Sequence, residues 1–149
     1  MKKIVLLNPP GKQLYIRDYF CSKISQADNL LQPIDLVMLS GTLAGEYEVF
    51  FIDAIAGRMS PAAVLKNIGE VAPSAVITLM GSASLIEDSR WIQSLKQKMP
   101  NIFLVAIGDI FVEGGAKGLD DFPELDAVIT DFTTPDILRC LRGERDALA

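Results

Sequence analysis

The sequence predicts a three-layer α/β domain of Rossmann-like, flavodoxin-like kind, with five parallel strands in the order 2-1-3-4-5 and helices on both faces. Three observations predict it. Short continuous apolar runs, such as residues 4–7 and 102–107, mark strands buried on both sides. Segments with apolar residues at helical spacing alternate with those runs about five times, and such alternation implies right-handed crossovers onto a parallel sheet. The chain has 149 residues, half of them hydrophobic, which suits one domain over 1–149 with a sizeable core.

Residues 4–7 form the first strand, ended by Asn8-Pro9-Pro10-Gly11 because proline cannot donate to a ladder. A long polar stretch follows, residues 12–32, with Tyr15, Tyr19 and Phe20 inside it, and reads as a functional or mobile loop. Pro33 opens a helix that places Ile34, Val37, Met38 and Gly41 on one face, with Gly45 as its C-terminal cap. Residues 49–52 are the second strand, ending at Asp53. Ser60-Pro61 starts the next helix, whose buried stripe is Val64, Leu65, Ile68 and Val71, and Pro73 stops it. Residues 75–79 are the third strand, followed by a loop of small residues, 81–84. A helix with Leu85, Ile92, Leu95 and Met99 on one face then runs to Pro100. Residues 102–107 are the fourth strand, and 108–123 a glycine-rich connection with one helical turn. Residues 126–129 are a short fifth strand, and Thr134-Pro135-Asp136 opens the last helix through Ile137, Leu138 and Leu141. A ligand of such a fold sits over the strand ends, at residues 8–11, 78–84, 108–111 and 130–134.

Composition removes many functions. Basic residues number 14 against 19 acidic ones and are scattered, so no stripe follows a nucleic-acid backbone. The apolar runs are too short to span a membrane, and Met1-Lys2-Lys3 with residues 4–7 lacks a cleavage site. The two cysteines, Cys21 and Cys140, form no disulfide framework or metal cluster, and a reducing, cytoplasmic setting is expected. No histidine is present, which removes the usual base, the commonest metal ligand and every His-dependent nucleophile. A phosphate-accepting response regulator needs an acidic pair after the first strand, an aspartate ending the third and a lysine ending the fifth. Those places hold Asn8, Thr78 or Leu79, and Thr130. Neither a flavin phosphate loop nor a Gly-x-Gly-x-x-Gly or Walker motif occurs, and Gly114-Gly115 and Gly118 read as turns. Asp53, Asp109 and Asp131 lie at strand ends, where capping a turn outweighs catalysis. Trp91 reads as packing on the third crossover helix. Residue chemistry alone describes a domain that holds something and does not transform it.

Three segments carry a family resemblance. Leu6-Leu7-Asn8-Pro9-Pro10, Leu31-Gln32-Pro33-Ile34-Asp35-Leu36 and Glu48-Val49-Phe50-Phe51-Ile52-Asp53-Ala54 resemble the amino-terminal cobalamin-binding domain of radical S-adenosylmethionine enzymes, among them the anaerobic magnesium-protoporphyrin IX monomethyl ester cyclases. Ser60-Pro61, Ala75-Val76-Ile77-Thr78 and Leu141-Arg142-Gly143-Glu144-Arg145 fit the same pattern. The resemblance implies a corrinoid across the strand ends, held base-off with no histidine on the cobalt. It implies binding through Asn8, Pro9, Pro10 and Gly11, through Thr78, Gly81, Ser82 and Ser84, and through Gly108 and Thr130. It also implies a downstream radical domain carrying the iron–sulfur cluster and S-adenosylmethionine, of which this chain would be an excised part or a remnant. Two positions depart from the pattern: Ile107 stands where a glycine is expected, and Asp131-Phe132-Thr133-Thr134 replaces a Gly-Glu-Gly-Glu run. These departures support the alternative of a ligand-free interaction domain of the same fold.

Overall fold

The computed structural model describes residues 1–19, 21–26, 29–114 and 117–144. Five parallel strands form the central sheet: β1 (Lys3–Asn8), β4 (Glu48–Asp53), β5 (Ala75–Leu79), β6 (Phe103–Ile107) and β7 (Ala127–Ile129). Their spatial order is β4-β1-β5-β6-β7, which is the expected 2-1-3-4-5. The register sets Asn8 beside Asp53, Leu7 beside Thr78, Leu79 beside Ile107 and Ile107 beside Ile129. The four loops expected to meet at the carboxyl end therefore do meet there.

Strand alternation sorts the core into two layers. Ile4, Leu6, Ile77, Leu79, Val105 and Ile107 face α1 (Ile34–Leu43) and α5 (Asp136–Leu141). Val5, Leu7, Val76, Leu104 and Ala106 face α2 (Pro61–Val71) and α3 (Leu85–Lys98). Because β1, β5 and β6 are covered on both sides, their sequences read as unbroken apolar runs. Helix α2 begins as its sequence directs: the Ser60 hydroxyl accepts the Ala63 N–H at 3.2 Å, and Pro61 takes the first helical position. The connection after β6 holds a short 3-10 turn, Asp109–Phe111, and one helical turn, α4 (Lys117–Asp121). Gly115 and Arg145, singled out in the sequence, lie outside the described residues. Among the described residues, no helix is long and apolar enough to cross a membrane.

Three expectations fail. Helix α1 buries Asp35, Leu36, Leu39 and Leu43, whereas Ile34, Val37 and Met38 are exposed. This helix is apolar nearly all round, so periodicity could not choose its inner face. Its last carbonyls are met by Ala44 in right-handed conformation, and Gly45 is not the cap. The expected loop at 12–32 contains an antiparallel hairpin, β2 (Tyr15–Asp18) with β3 (Cys21–Ile24). Phe20 lies outside the described residues. The burial of β2 explains the miss: its inward side chains are Tyr15 and Arg17, followed by buried Tyr19 in the turn, so no apolar alternation marks it.

Candidate functional site

The carboxyl end of the sheet is where this fold places ligands, and the hairpin β2–β3 lies over it. Arg17 is the centre of the arrangement and is 4% exposed. Its Nη1 donates to Asn8 Oδ1 at 3.1 Å and to the Pro9 carbonyl at 2.9 Å. Nη2 donates to the Pro10 carbonyl at 3.3 Å and to Asp88 Oδ1 at 2.8 Å. Nε donates to Ser84 Oγ and Asp88 Oδ2, both at 3.1 Å. All five N–H donors of the fork find acceptors, which is the condition for burying a guanidinium. Lysine would supply one point charge and could not reproduce this set.

Asp88, in the first turn of α3, is fully buried and equally well satisfied. Besides the two bonds from Arg17 it accepts the Gly81 N–H at 3.0 Å and the Ser84 hydroxyl at 2.6 Å. Asn8 passes the network outward, donating from Nδ2 to Asp53 Oδ1 at 3.0 Å. Tyr15 stacks against the same guanidinium, with Arg17 Cζ 5.1 Å from its ring centre, and donates its hydroxyl to Glu87 Oε1 at 2.7 Å. Burial, reinforced by that carboxylate, pushes the Tyr15 phenol up to about 12. At the far end of the hairpin, the Tyr19 hydroxyl donates to the Thr130 carbonyl, and its ring meets Phe132 edge-on at 5.2 Å.

The glycines show that this crevice is fitted to the hairpin. A side chain on Gly11 would stand 2.5 Å from the Tyr15 ring, and one on Gly81 would stand 2.4 Å from Ser22 Oγ. Ser22 Oγ also accepts the Ala83 N–H at 3.1 Å. At Gly108 a Cβ would fall 1.6 Å from the Met80 carbonyl oxygen, so the space beside that glycine belongs to the backbone after β5. Thr78 is fully buried, its hydroxyl directed to the Leu79 carbonyl at 3.3 Å. Ser82 is held by Asp109 through its N–H at 2.9 Å and its hydroxyl at 2.5 Å. Ile107 belongs to the core and Phe132 to the Tyr19 contact. What stays open between the hairpin and the start of α1 is a hollow of about 160 Å³, lined by Asn8, Arg17, Gln32 and Ile34 among others. Ordinary small-molecule sites begin near ~300 Å³.

Two of the three strand-end aspartates, Asp53 and Asp131, cap turns as expected, and Asp109 does not. Asp53 accepts the N–H groups of Ile55 and Ala56 at 3.1 and 3.0 Å, and Asp131 accepts from Thr133 N–H and Oγ1 at 2.9 and 2.5 Å. Asp109 holds Ser82, as above. The Thr133 contacts keep the Asp131 carboxyl below its usual value. Cys140 is buried and its thiol pushed up by that burial, while Cys21 is exposed. The strand-end loops meet as the strand order requires, and Arg17, Asp88, Tyr19 and Asp35, which fill the centre, were not among the expected site residues.

No protein-family model matches the chain, and no curated protein matches it. Among solved structures it resembles a CheY-like protein, TadZ, from Pseudomonas aeruginosa PAO1. The likeness has a TM-score of 0.65 at 18% identity, and covers 97% of this chain and 98% of that one. It establishes the flavodoxin-like, CheY-like arrangement of the fold. The expectation of a cobalamin-carrying module is corrected by this finding, since the solved structure that shares the fold is described as CheY-like. The hairpin supplies the physical reason: Asn8, Pro9, Pro10, Gly11, Gly81, Ser84 and Thr130, assigned to a corrinoid, contact the chain's own Arg17, Tyr15, Ser22 and Tyr19. Thr78, Ser82 and Gly108, assigned with them, serve the neighbouring backbone and Asp109.

Two measurements test this reading of the site. Replacing Arg17 by methionine leaves Asp88 buried without its cation, and urea unfolding is expected to show a loss on the order of 3–5 kcal/mol. The double variant Arg17→Met/Asp88→Leu is expected to lose less than the sum of its single changes. A loss under about 1 kcal/mol for Arg17→Met would show that the pair does not anchor the hairpin. The second concerns Asp35, which is 3% exposed and accepts the Tyr19 N–H at 2.7 Å. Burial lifts its carboxyl from 3.8 to about 6, against the lowering effect of that N–H. The folded chain thus holds this proton more tightly than the unfolded chain, and the stability so gained is lost as pH rises through that window. Asp35→Asn is therefore expected to stabilise the protein relative to wild type by about 1–3 kcal/mol more near pH 8 than near pH 4. Equal differences at both pH values would remove Asp35 as the source.

Proposed function

We propose that this chain is a receiver-like interaction module that works without phosphorylation and without a ligand in its strand-end crevice, by pairing with a second copy through the outer face of α1. The observation that carries the reading is the burial of Arg17 in that crevice, where its guanidinium occupies the ground between the β1 loop and α3. Asn8, Thr78 and Thr130 stand where a phosphate acceptor would need carboxylates and a lysine. With the crevice closed, contact with other molecules falls to the outer surface.

The outer face of α1 has the composition of a contact surface. Leu30, Leu31, Ile34, Val37 and Met38 are 48%, 60%, 58%, 48% and 45% exposed. Ile34, Val37 and Met38 are neighbours at helical spacing. The one charged residue of the helix, Asp35, is buried on the opposite side. Exposed apolar patches of this kind mark interaction sites. A second copy is the occupant proposed: the net charge of −5 opposes contact between copies elsewhere on the surface, so pairing is confined to this uncharged patch. Two-fold pairing sets the same patch against itself, which an uncharged helix face tolerates at any register. A patch confined to one helix face is small for a specific interface, so the pairing is expected to be reversible.

Sedimentation equilibrium is expected to show a concentration-dependent dimer that Val37→Glu or Met38→Glu reduces to monomer. Incubation with acetyl phosphate should leave both the intact mass and this equilibrium unchanged. A monomer at every concentration contradicts the pairing, and a phosphorylated species contradicts the receiver-like module without phosphoryl transfer.

A further inference from the structure

A second concavity lies outside the filled crevice, between the start of α2 and the middle of α3. It measures about 440 Å³, within the range of small-molecule sites. Its lining combines two kinds of surface. Trp91, Met59, Pro10 and Pro61 give it an apolar wall, and Lys12, Arg58 and Arg90 bring three cations to it. One carboxylate, Glu87, opposes them, and both of its oxygens are already engaged, Oε1 by the Tyr15 hydroxyl and Oε2 by the Lys12 N–H at 2.9 Å. Arg58 and Arg90 have no ion-pair partner among the described residues, although acidic residues outnumber basic ones in the chain. The amino end of α2, eleven residues long, adds the positive pole of its dipole at Ser60 and Pro61.

Trp91 supplies the aromatic part of the apolar wall. It is 5% exposed, and its indole Nε1–H is the buried side-chain polar atom without a partner among the described residues. That N–H is buried away from the cavity, so it is the ring and not the donor that forms part of the wall. Arg58, on the opposite side, holds its backbone at φ 47°, in the left-handed region that arginine rarely adopts.

We propose that this cavity binds an aromatic organic phosphate of nucleoside monophosphate size. The ring packs against Met59, Pro10 and the small accessible part of Trp91, and the phosphate is held by Arg58, Arg90 and Lys12 at the mouth of α2. The site is separate from the pairing face of α1, and neither proposal rests on the other.

Trp91 is the sole tryptophan, so its fluorescence reports on the cavity directly. Adenosine 5′-monophosphate, titrated into the full chain, is expected to change Trp91 emission saturably. Adenosine and inorganic phosphate, each supplying half of the recognition, are expected to bind about tenfold or more weakly. Arg58→Gln and Arg90→Gln should each weaken the nucleotide by about tenfold while leaving the circular dichroism spectrum unchanged, since both side chains are exposed and unpaired. The proposal is overturned if millimolar adenosine, guanosine and uridine monophosphates all leave Trp91 emission and ligand-observed magnetisation transfer unchanged. It is also overturned if both arginine variants bind as wild type does, which would reduce the effect to contact with the apolar wall.

Discussion

An arginine and an aspartate buried together at the carboxyl end of the sheet govern how this molecule is built. Taking both charges out of water is costly, and removing either partner leaves the other stranded. The pair is stable because every donor of Arg17 and the oxygens of Asp88 are met by groups drawn from β1, the loop after β5 and α3. The hairpin that carries Arg17 is thereby tied to three separate parts of the sheet's rim. Its outer strand presents Ser22 to the backbone of the β5 loop, and its turn presents Tyr19 to Asp35 and Thr130.

That arrangement changes what the fold can do. In open α/β sheets the crevice beside the switch point, here between β1 and β5, is the natural place for a ligand. In this chain small residues do line the crevice, as a ligand site requires, but the group they admit is part of the same polypeptide. A module so filled has a rigid end and keeps its flanks for contact. The apolar face of α1 and the cation-rich hollow between α2 and α3 are those flanks, on opposite sides of the sheet.

Strands and helix starts were legible in the sequence because each follows from a local rule; the strand order, and with it the meeting of the four rim loops, followed from the commonest arrangement of five parallel strands. Apolar runs such as 103–107 are buried on both faces, and Ser60-Pro61 caps and starts α2 as its chemistry demands. Two things were not legible, for physical reasons. The inner face of α1 could not be told from its outer face, since Ile34, Val37 and Met38 are as apolar as Leu36, Leu39 and Leu43. The hairpin could not be seen because its buried side chains include a charge. Arg17 reads as a solvated residue until Asp88, 71 positions away, is placed beside it. The small residues of the 81–84 loop do make room, at Gly81 for Ser22. Their occupant could not be named from spacing, because a void records the size of its guest and not its origin.

Amide hydrogen exchange at Tyr19 and Gly81, whose N–H groups are held by Asp35 and Asp88, tests the closed crevice most directly. If the hairpin is an integral part of the sheet's rim, these amides exchange as slowly as those of Leu6 and Ile77, through global unfolding alone. Exchange orders of magnitude faster than in those strands would instead reveal a flap that opens over a usable crevice, and the account of a permanently filled site would be wrong.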